Sequence, residues 1–142
     1  MIRGVIFDLD GVIVCTDELH YQSWQELTAA EDIPFDRTTN ERLRGVSRAD
    51  SLEIVLARAP RAYSSEQKAA LAERKQARYL ELALRLTSAN VLPGVPELIG
   101  ALERRGVRLA VGSSSRNAKM ILKQLGLSGR FEVVVDGNDL TH

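Results

Sequence analysis

Apolar and polar positions change rhythm twice along this chain. Val5, Ile6 and Phe7 form a short continuous apolar run, the pattern of a strand covered on both faces. From about residue 16 to residue 88 the apolar positions recur at helical spacing. From Leu92 onward helical and strand patterns alternate. The chain therefore reads as an α/β unit interrupted by a helical insertion, with 1–15 and 89–142 forming the α/β part and 16–88 the insertion.

The insertion is punctuated at its helix ends. Thr16 is placed to cap a helix whose first turn carries Asp17 and Glu18, favourable for the helix dipole. His20, Trp24 and Leu27 share one face of that helix. A second helix near residues 39–44 stops at Gly45. Ser47 and Asp50 stand at capping-box spacing, and Leu52, Val55 and Leu56 follow before Pro60 ends the run. The longest helix starts near Ser64 or Ser65 and runs to about Leu86, with a stripe of Leu71, Lys75, Tyr79, Leu82 and Leu86. Lys75 is the odd member of that stripe. It either snorkels to solvent or points into a polar cleft.

After Asn90 the spacing predicts a turn at Pro93 and Gly94 and a helix over 95–105 ended by Gly106. A strand over 107–112, a polar loop over 113–117, a helix closing at Gly126 and a strand over 131–136 follow. Strands separated by helices predict a parallel sheet with right-handed crossovers.

Composition narrows the partners. Lys plus Arg and Asp plus Glu are both 19, so no basic excess points to nucleic acid. Hydrophobic residues make up 44% and charged residues 27%, ordinary for a soluble globular protein. No apolar run approaches a membrane span, and the N-terminus enters a strand without a signal-peptide pattern. The single cysteine, Cys15, excludes an internal disulfide and fits the reducing cytoplasm. No His-containing triad pattern accompanies it, so a catalytic thiol is not expected.

Chemistry concentrates at the end of the first strand, where Asp8 and Asp10 stand one residue apart before Gly11. Desolvating a close carboxylate pair is costly without a cation or a shared proton. Gly11 allows a sharp turn or close approach to a ligand. The pattern reads as a hard-metal and phosphoryl site, with one carboxylate attacking phosphorus and the other handling a proton. The plainer alternative is a strand-to-loop junction with solvated acids. In a parallel sheet ligands bind at the carboxyl ends of the strands, which puts Asp8 and Ser113 on one edge. Residues 113–117 supply hydroxyls, an amide and backbone N–H groups for a phosphate, or simply cap the next helix.

Together these elements resemble the haloacid dehalogenase superfamily of phosphotransferases. The run from Phe7 to Val12 looks like its first motif, Ser113 like its second, and the helical insertion like its four-helix cap on a Rossmann-like core. The order and spacing of Thr16, His20, Trp24, the 40–48 run with Asp50, Ser51 and Leu52, Arg74, Lys75, Leu92, Pro93, Gly94 and the 113–117 loop resemble the β-phosphoglucomutase family within it. That resemblance implies Asp8 as nucleophile, Asp10 as general acid and base, and Mg²⁺ held by the Asp8 carboxylate and the Asp10 carbonyl. It implies Ser113 as the ligand of the transferring phosphoryl group. Arg48, Gly45, Val46, Ser51, Ser114, Ser115 and Asn117 would hold the sugar phosphate. His20 and Lys75 would lie at the cleft and couple cap closure to Asp10, and Thr16 and Trp24 would stand beside it, Trp24 by packing. The implied reaction interconverts β-glucose 1-phosphate and glucose 6-phosphate through an aspartyl phosphate and a bisphosphate intermediate. The implied partners are small sugar phosphates, and the implied state is a monomer.

The resemblance breaks off after the third strand. Where the family carries a Lys-Pro segment and later an acidic pair, this chain reads Asp136, Gly137, Asn138, Asp139, Leu140, Thr141 and His142. Asp136 and Asp139 read as turn residues of a strand exit. The expectation is a core incomplete at its C-terminus, with the first strand left as an edge and activity impaired. The remaining alternatives are a sugar-phosphate phosphatase of the same superfamily and a non-catalytic remnant.

Overall fold

A computed structural model describes residues 1–139; the predicted core positions 140–142 lie outside the described residues. In chain order the elements are β1 (Gly4–Phe7), α1 (Asp17–Ala30), α2 (Arg37–Glu41), α3 (Arg48–Leu56) and α4 (Ser65–Ala83). A 3₁₀ turn (Ser88–Asn90), α5 (Val95–Arg104), β2 (Arg108–Gly112), α6 (Ala118–Gln124) and β3 (Val133–Val135) follow. The chain divides into two units, Met1–Thr16 with Ala83–His142, and Asp17–Leu82.

The first unit is a parallel α/β layer with strand order β1-β2-β3. Gly4 pairs with Arg108, Phe7 with Val111, and Gly112 with Val135. Phe7, Leu109 and Val111 point to one face and are buried. Right-handed crossovers that progress in one direction put both connecting helices on that face. Ile99 of α5 and Ile121 of α6 accordingly bury fully, and the Phe7 ring meets Phe131 edge-on at 5.9 Å. The opposite face carries Ile6, Val133 and Val135, which are 76%, 52% and 42% exposed. No helix of the described residues crosses to this second face, so only one side of the apolar run at 5–7 is covered by them.

The second unit is helical. Trp24, Leu27, Ile33, Leu43, Leu52, Val55 and Leu71 form its apolar centre, each contributing about 1.5–3 kcal/mol on burial. Ser47 caps α3, accepting the Asp50 N–H at 3.1 Å and donating to Asp50 Oδ2 at 2.6 Å. Ser64 and Gln67 cap α4 reciprocally.

Three elements depart from the sequence expectation by more than one residue. α2 starts at Arg37 because Asp36 caps it, its Oδ1 accepting the Thr39 N–H at 2.7 Å. α4 stops at Ala83, where the chain tightens and the Leu86 N–H bonds back to Ala83 O. β3 covers only Val133–Val135; Phe131 is diverted into ring packing and Asp136 opens a turn.

Candidate active site

Asp8 follows the last residue of β1, and the strand register places it level with Gly112 and Val135. Leu9 O accepts the N–H groups of Ile13 at 2.9 Å and Val14 at 3.2 Å, and the Gly11 N–H returns to Val14 O at 2.8 Å. This tight loop requires the left-handed φ of 78° at Gly11, which glycine adopts without steric cost. The Leu9 N–H donates to Asp8 Oδ1 at 2.6 Å, which fixes that carboxylate's rotamer.

Asp10 is held differently. Thr16, 4% exposed, donates its hydroxyl to Asp10 Oδ1 at 2.5 Å. The hydroxyl that sequence spacing assigns to helix capping thus serves the second carboxylate. Burial raises the Asp10 pKa above the ordinary carboxylate value; the Thr16 bond pulls it down, and the neighbouring Asp8 charge adds to the rise. Asp10 as a residue is exposed, so the desolvation falls on the carboxyl group, tucked against buried Thr16. A carboxyl that holds its proton more tightly suits a general acid.

Asp10 and Val14 form an isolated bridge. Its bonds run through Leu9 O and Gly11 N–H, so the bridge does not use the carbonyl of Asp10 itself. The Asp8 carboxylate and that carbonyl are hard oxygens and fit a magnesium-type cation, which otherwise keeps several waters. Among the described residues no group of three or more His, Cys, Asp or Glu side chains assembles as a metal cage.

The 113–117 loop leaves the same sheet edge. The Ser113 N–H donates to Val135 O at 3.0 Å. Ser113 Oγ accepts the Ser115 N–H at 3.1 Å, and Ser115 Oγ accepts the Asn117 N–H at 3.2 Å. Two of the amides expected to cradle phosphate are therefore engaged by the loop's own hydroxyls, a correction to the sequence expectation. Those hydroxyls still carry O–H donors. Ser114 is exposed, and Ser113, Ser115 and Asn117 are half-buried. Asn117 stands at the N-cap position of α6 without a side-chain cap bond, so its amide is not consumed by capping.

In the helical unit Lys75 is only 6% exposed, so it does not snorkel. Its Nζ lies 2.9 Å from His20 Nδ1 and about level with two aromatic faces, 5.1 Å from the Trp24 centroid and 5.0 Å from that of Tyr79. His20 stacks on Tyr79 at 4.3 Å. An ammonium only donates, so His20 Nδ1 accepts and its ring proton resides on Nε2. Desolvation, then the Lys75 charge, pushes the His20 pKa down to about 3. Desolvation, then Arg48, lowers that of Lys75 to about 8. The cation is thus held by imidazole and aromatic faces.

Arg48 is exposed in the first turn of α3, and Ser51 is buried one turn further. Gly45 takes a φ of 71°. The Val46 N–H closes a turn onto Leu43 O at 3.1 Å, so Val46 offers its carbonyl rather than its N–H. Trp24 is buried in the apolar centre of the unit.

The sequence profile of the haloacid dehalogenase-like hydrolases matches residues 2–142. The chain belongs to this family. It is 41% identical to β-phosphoglucomutase of Bacillus subtilis over 140 residues, 97% of this chain and 62% of that protein. It is 27% identical to a phosphorylated carbohydrates phosphatase of Thermotoga maritima, over 97% of this chain and 62% of that protein. The crystal structure of β-phosphoglucomutase from Clostridium difficile superposes with a TM-score of 0.85 at 35% identity, covering 100% of this chain and 65% of that one. The chain thus spans about 62% of the length of these curated relatives. Its α/β layer with a helical unit after β1 is the haloacid dehalogenase-like fold. Among the described residues no helix is long and apolar enough to cross a membrane.

Asp136 is the turn residue that the sequence indicates, but its burial was not expected. Asp136 directly follows β3 and is 1% exposed. Its position just past a parallel strand, matching that of Asp8 after β1, was the available signal.

Proposed function

We propose that Asp8 and Asp10 carry out phosphoryl transfer on a sugar phosphate, and that the whole reaction is that of a β-phosphoglucomutase. The observation that carries the reading is the unequal treatment of the two carboxyls. Asp8 is pinned by a backbone N–H, while Asp10 is desolvated, raised in pKa and held by buried Thr16.

Asp8 Oδ2, the oxygen not bound by the Leu9 N–H, attacks phosphorus. The bond from phosphorus to the sugar oxygen breaks, and that oxygen takes the proton of Asp10. The product is an aspartyl phosphate and a free hydroxyl. In the second half Asp10 accepts the proton of an incoming sugar hydroxyl as its oxygen takes the phosphoryl group from Asp8. Ser113 donates its O–H to the transferring group. When bound, a magnesium ion held by Asp8 and Asp10 supplies charge compensation at the phosphoryl oxygens. In the helical unit Arg48 binds a phosphate bidentately, with Ser51 beside it on α3; in the α/β unit Ser115 and Asn117 flank Ser113 on the loop. The substrate is a small sugar phosphate, and the protein acts as a monomer in the cytoplasm.

The second reading, a sugar-phosphate phosphatase, is favoured by the phosphatase among the relatives. Water then replaces the sugar hydroxyl in the second half. A coupled assay with β-glucose 1-phosphate, Mg²⁺ and catalytic glucose 1,6-bisphosphate separates them. Glucose 6-phosphate that appears only with the bisphosphate supports the mutase. Inorganic phosphate as the sole product overturns it in favour of the phosphatase.

A further inference from the structure

The turn that leaves β3 lies directly on the 113–117 loop. The Gly137 N–H donates to Ser115 O at 3.1 Å, and Asn138 Nδ2 donates to Arg116 O at 2.8 Å. The approach is so close that a Cβ on Gly137 would stand 2.3 Å from Ser114 O. Three bonds lock the turn itself. Asp136 Oδ1 accepts the Asn138 N–H at 2.9 Å. The Asp136 N–H donates to Asp139 Oδ2 at 2.9 Å, and the Asp139 N–H to Asp136 O at 3.0 Å. Lys119, in the first turn of α6, ties the far side, with Nζ 2.8 Å from Asp139 Oδ2 and 3.9 Å from Asp136 Oδ1.

A wholly buried carboxylate is costly to maintain, and a simple strand exit does not need one. Asp136 is 1% exposed. Its bonding is spent on the turn whose next two residues hold the carbonyls of Ser115 and Arg116. With Ser113 bonded to Val135 O, the loop is gripped at 113, 115 and 116 by consecutive parts of one segment. The alternation of Ser113 and Ser115 hydroxyls with amides 115 and 117 then has a fixed frame. We infer that Asp136 is a positioning residue that holds the 113–117 loop in its phosphate-receiving shape, with Asp139 and Lys119 as its outer brace. This rests on the reading of Ser113 as a phosphoryl ligand.

Asp136→Ala removes the acceptor of the Asn138 N–H, whereas Asp136→Asn keeps an oxygen in that place. Native-state hydrogen exchange at the amides of Gly137, Ser115 and Asn117, measured against amides of α5, reads the positioning itself. Inorganic phosphate, titrated into the same samples and followed by NMR, reads its consequence. Asp136→Ala is expected to speed exchange at these three amides about tenfold or more, to leave α5 unchanged and to weaken phosphate binding in step. Asp136→Asn is expected to restore both. Unchanged loop exchange, or an equal rise in the loop and α5, would overturn the inference. If Asp136→Ala does not fold, Lys119→Met is the second variant. Its loss of an exposed ion pair should speed exchange at the same amides about two- to fivefold, and no change there overturns the inference. If the wild-type chain binds no phosphate, the reading of Ser113 fails while the exchange pattern still decides whether Asp136 positions the loop.

Discussion

At Asp10 two influences oppose each other. Desolvation and the Asp8 charge raise its pKa, and the Thr16 hydroxyl lowers it. Thr16→Val removes only the lowering influence, so the Asp10 carboxyl should titrate at higher pH in the variant, as read from its ¹³C resonance. An unchanged or lower titration point would contradict the role given to Thr16. Asp10→Asn cannot exchange a proton and should reduce turnover about 10²–10⁴-fold. The pair of His20 and Lys75 makes a prediction of stability against pH. His20 has a folded pKa of about 3 against an ordinary 6.5, so between those values the unfolded chain binds the extra proton. Stability should fall as pH drops from about 6.5 towards about 3. For Lys75, with about 8 against 10.5, stability should rise as pH climbs from about 8 to about 10.5. Urea midpoints measured across both ranges check this; His20→Gln should flatten the acid limb and Lys75→Met the alkaline one.

Among the elements, helix caps were the most legible features because their signals are local. Ser47 and Asp50 stand at capping spacing and cap α3 as the sequence indicates. Ser47→Ala should cost about 1 kcal/mol in chemical denaturation, with little change in the slope against denaturant. Asp36 carries an equally local signal, three residues before Thr39, and caps α2. Thr16 could not be read so directly. A threonine before two acids is equally suited to capping, and only the return of the chain beside Asp10 decides where its hydroxyl goes. Lys75 shows the same limit, since helical period puts it on the buried stripe. Whether it can remain there depends on Trp24 and His20 of α1, which sequence spacing does not bring to it. The 113–117 loop had a readable signal, because alternating serines invite hydroxyl-to-amide turns. Those turns occupy the Ser115 and Asn117 amides, which are therefore not open to phosphate.

For the whole molecule, alternation of strand and helix patterns was enough for a parallel α/β layer with an inserted helical unit. It was not enough for the sheet's two faces, because one apolar run cannot show which side a helix will cover. The consequence is measurable at two adjacent residues. Phe7→Ala should destabilise by about 3–5 kcal/mol. Ile6→Thr on the open face should change stability by no more than about 0.5 kcal/mol. Denaturant titration of both variants decides it; similar losses would mean that the open face is covered in solution. The carboxyl edge of this layer carries Asp8, Ser113 and Asp136, each directly after its strand, and phosphoryl transfer through Asp8 is the central claim built on it. Its most direct test is chemical trapping. The chain is incubated with Mg²⁺ and acetyl phosphate, quenched in acid and mapped by mass spectrometry, beside Asp8→Asn. A hydroxylamine-labile phosphate on Asp8, absent from the variant, is the predicted result. Phosphate on another residue, or equal labelling of Asp8→Asn, would contradict it.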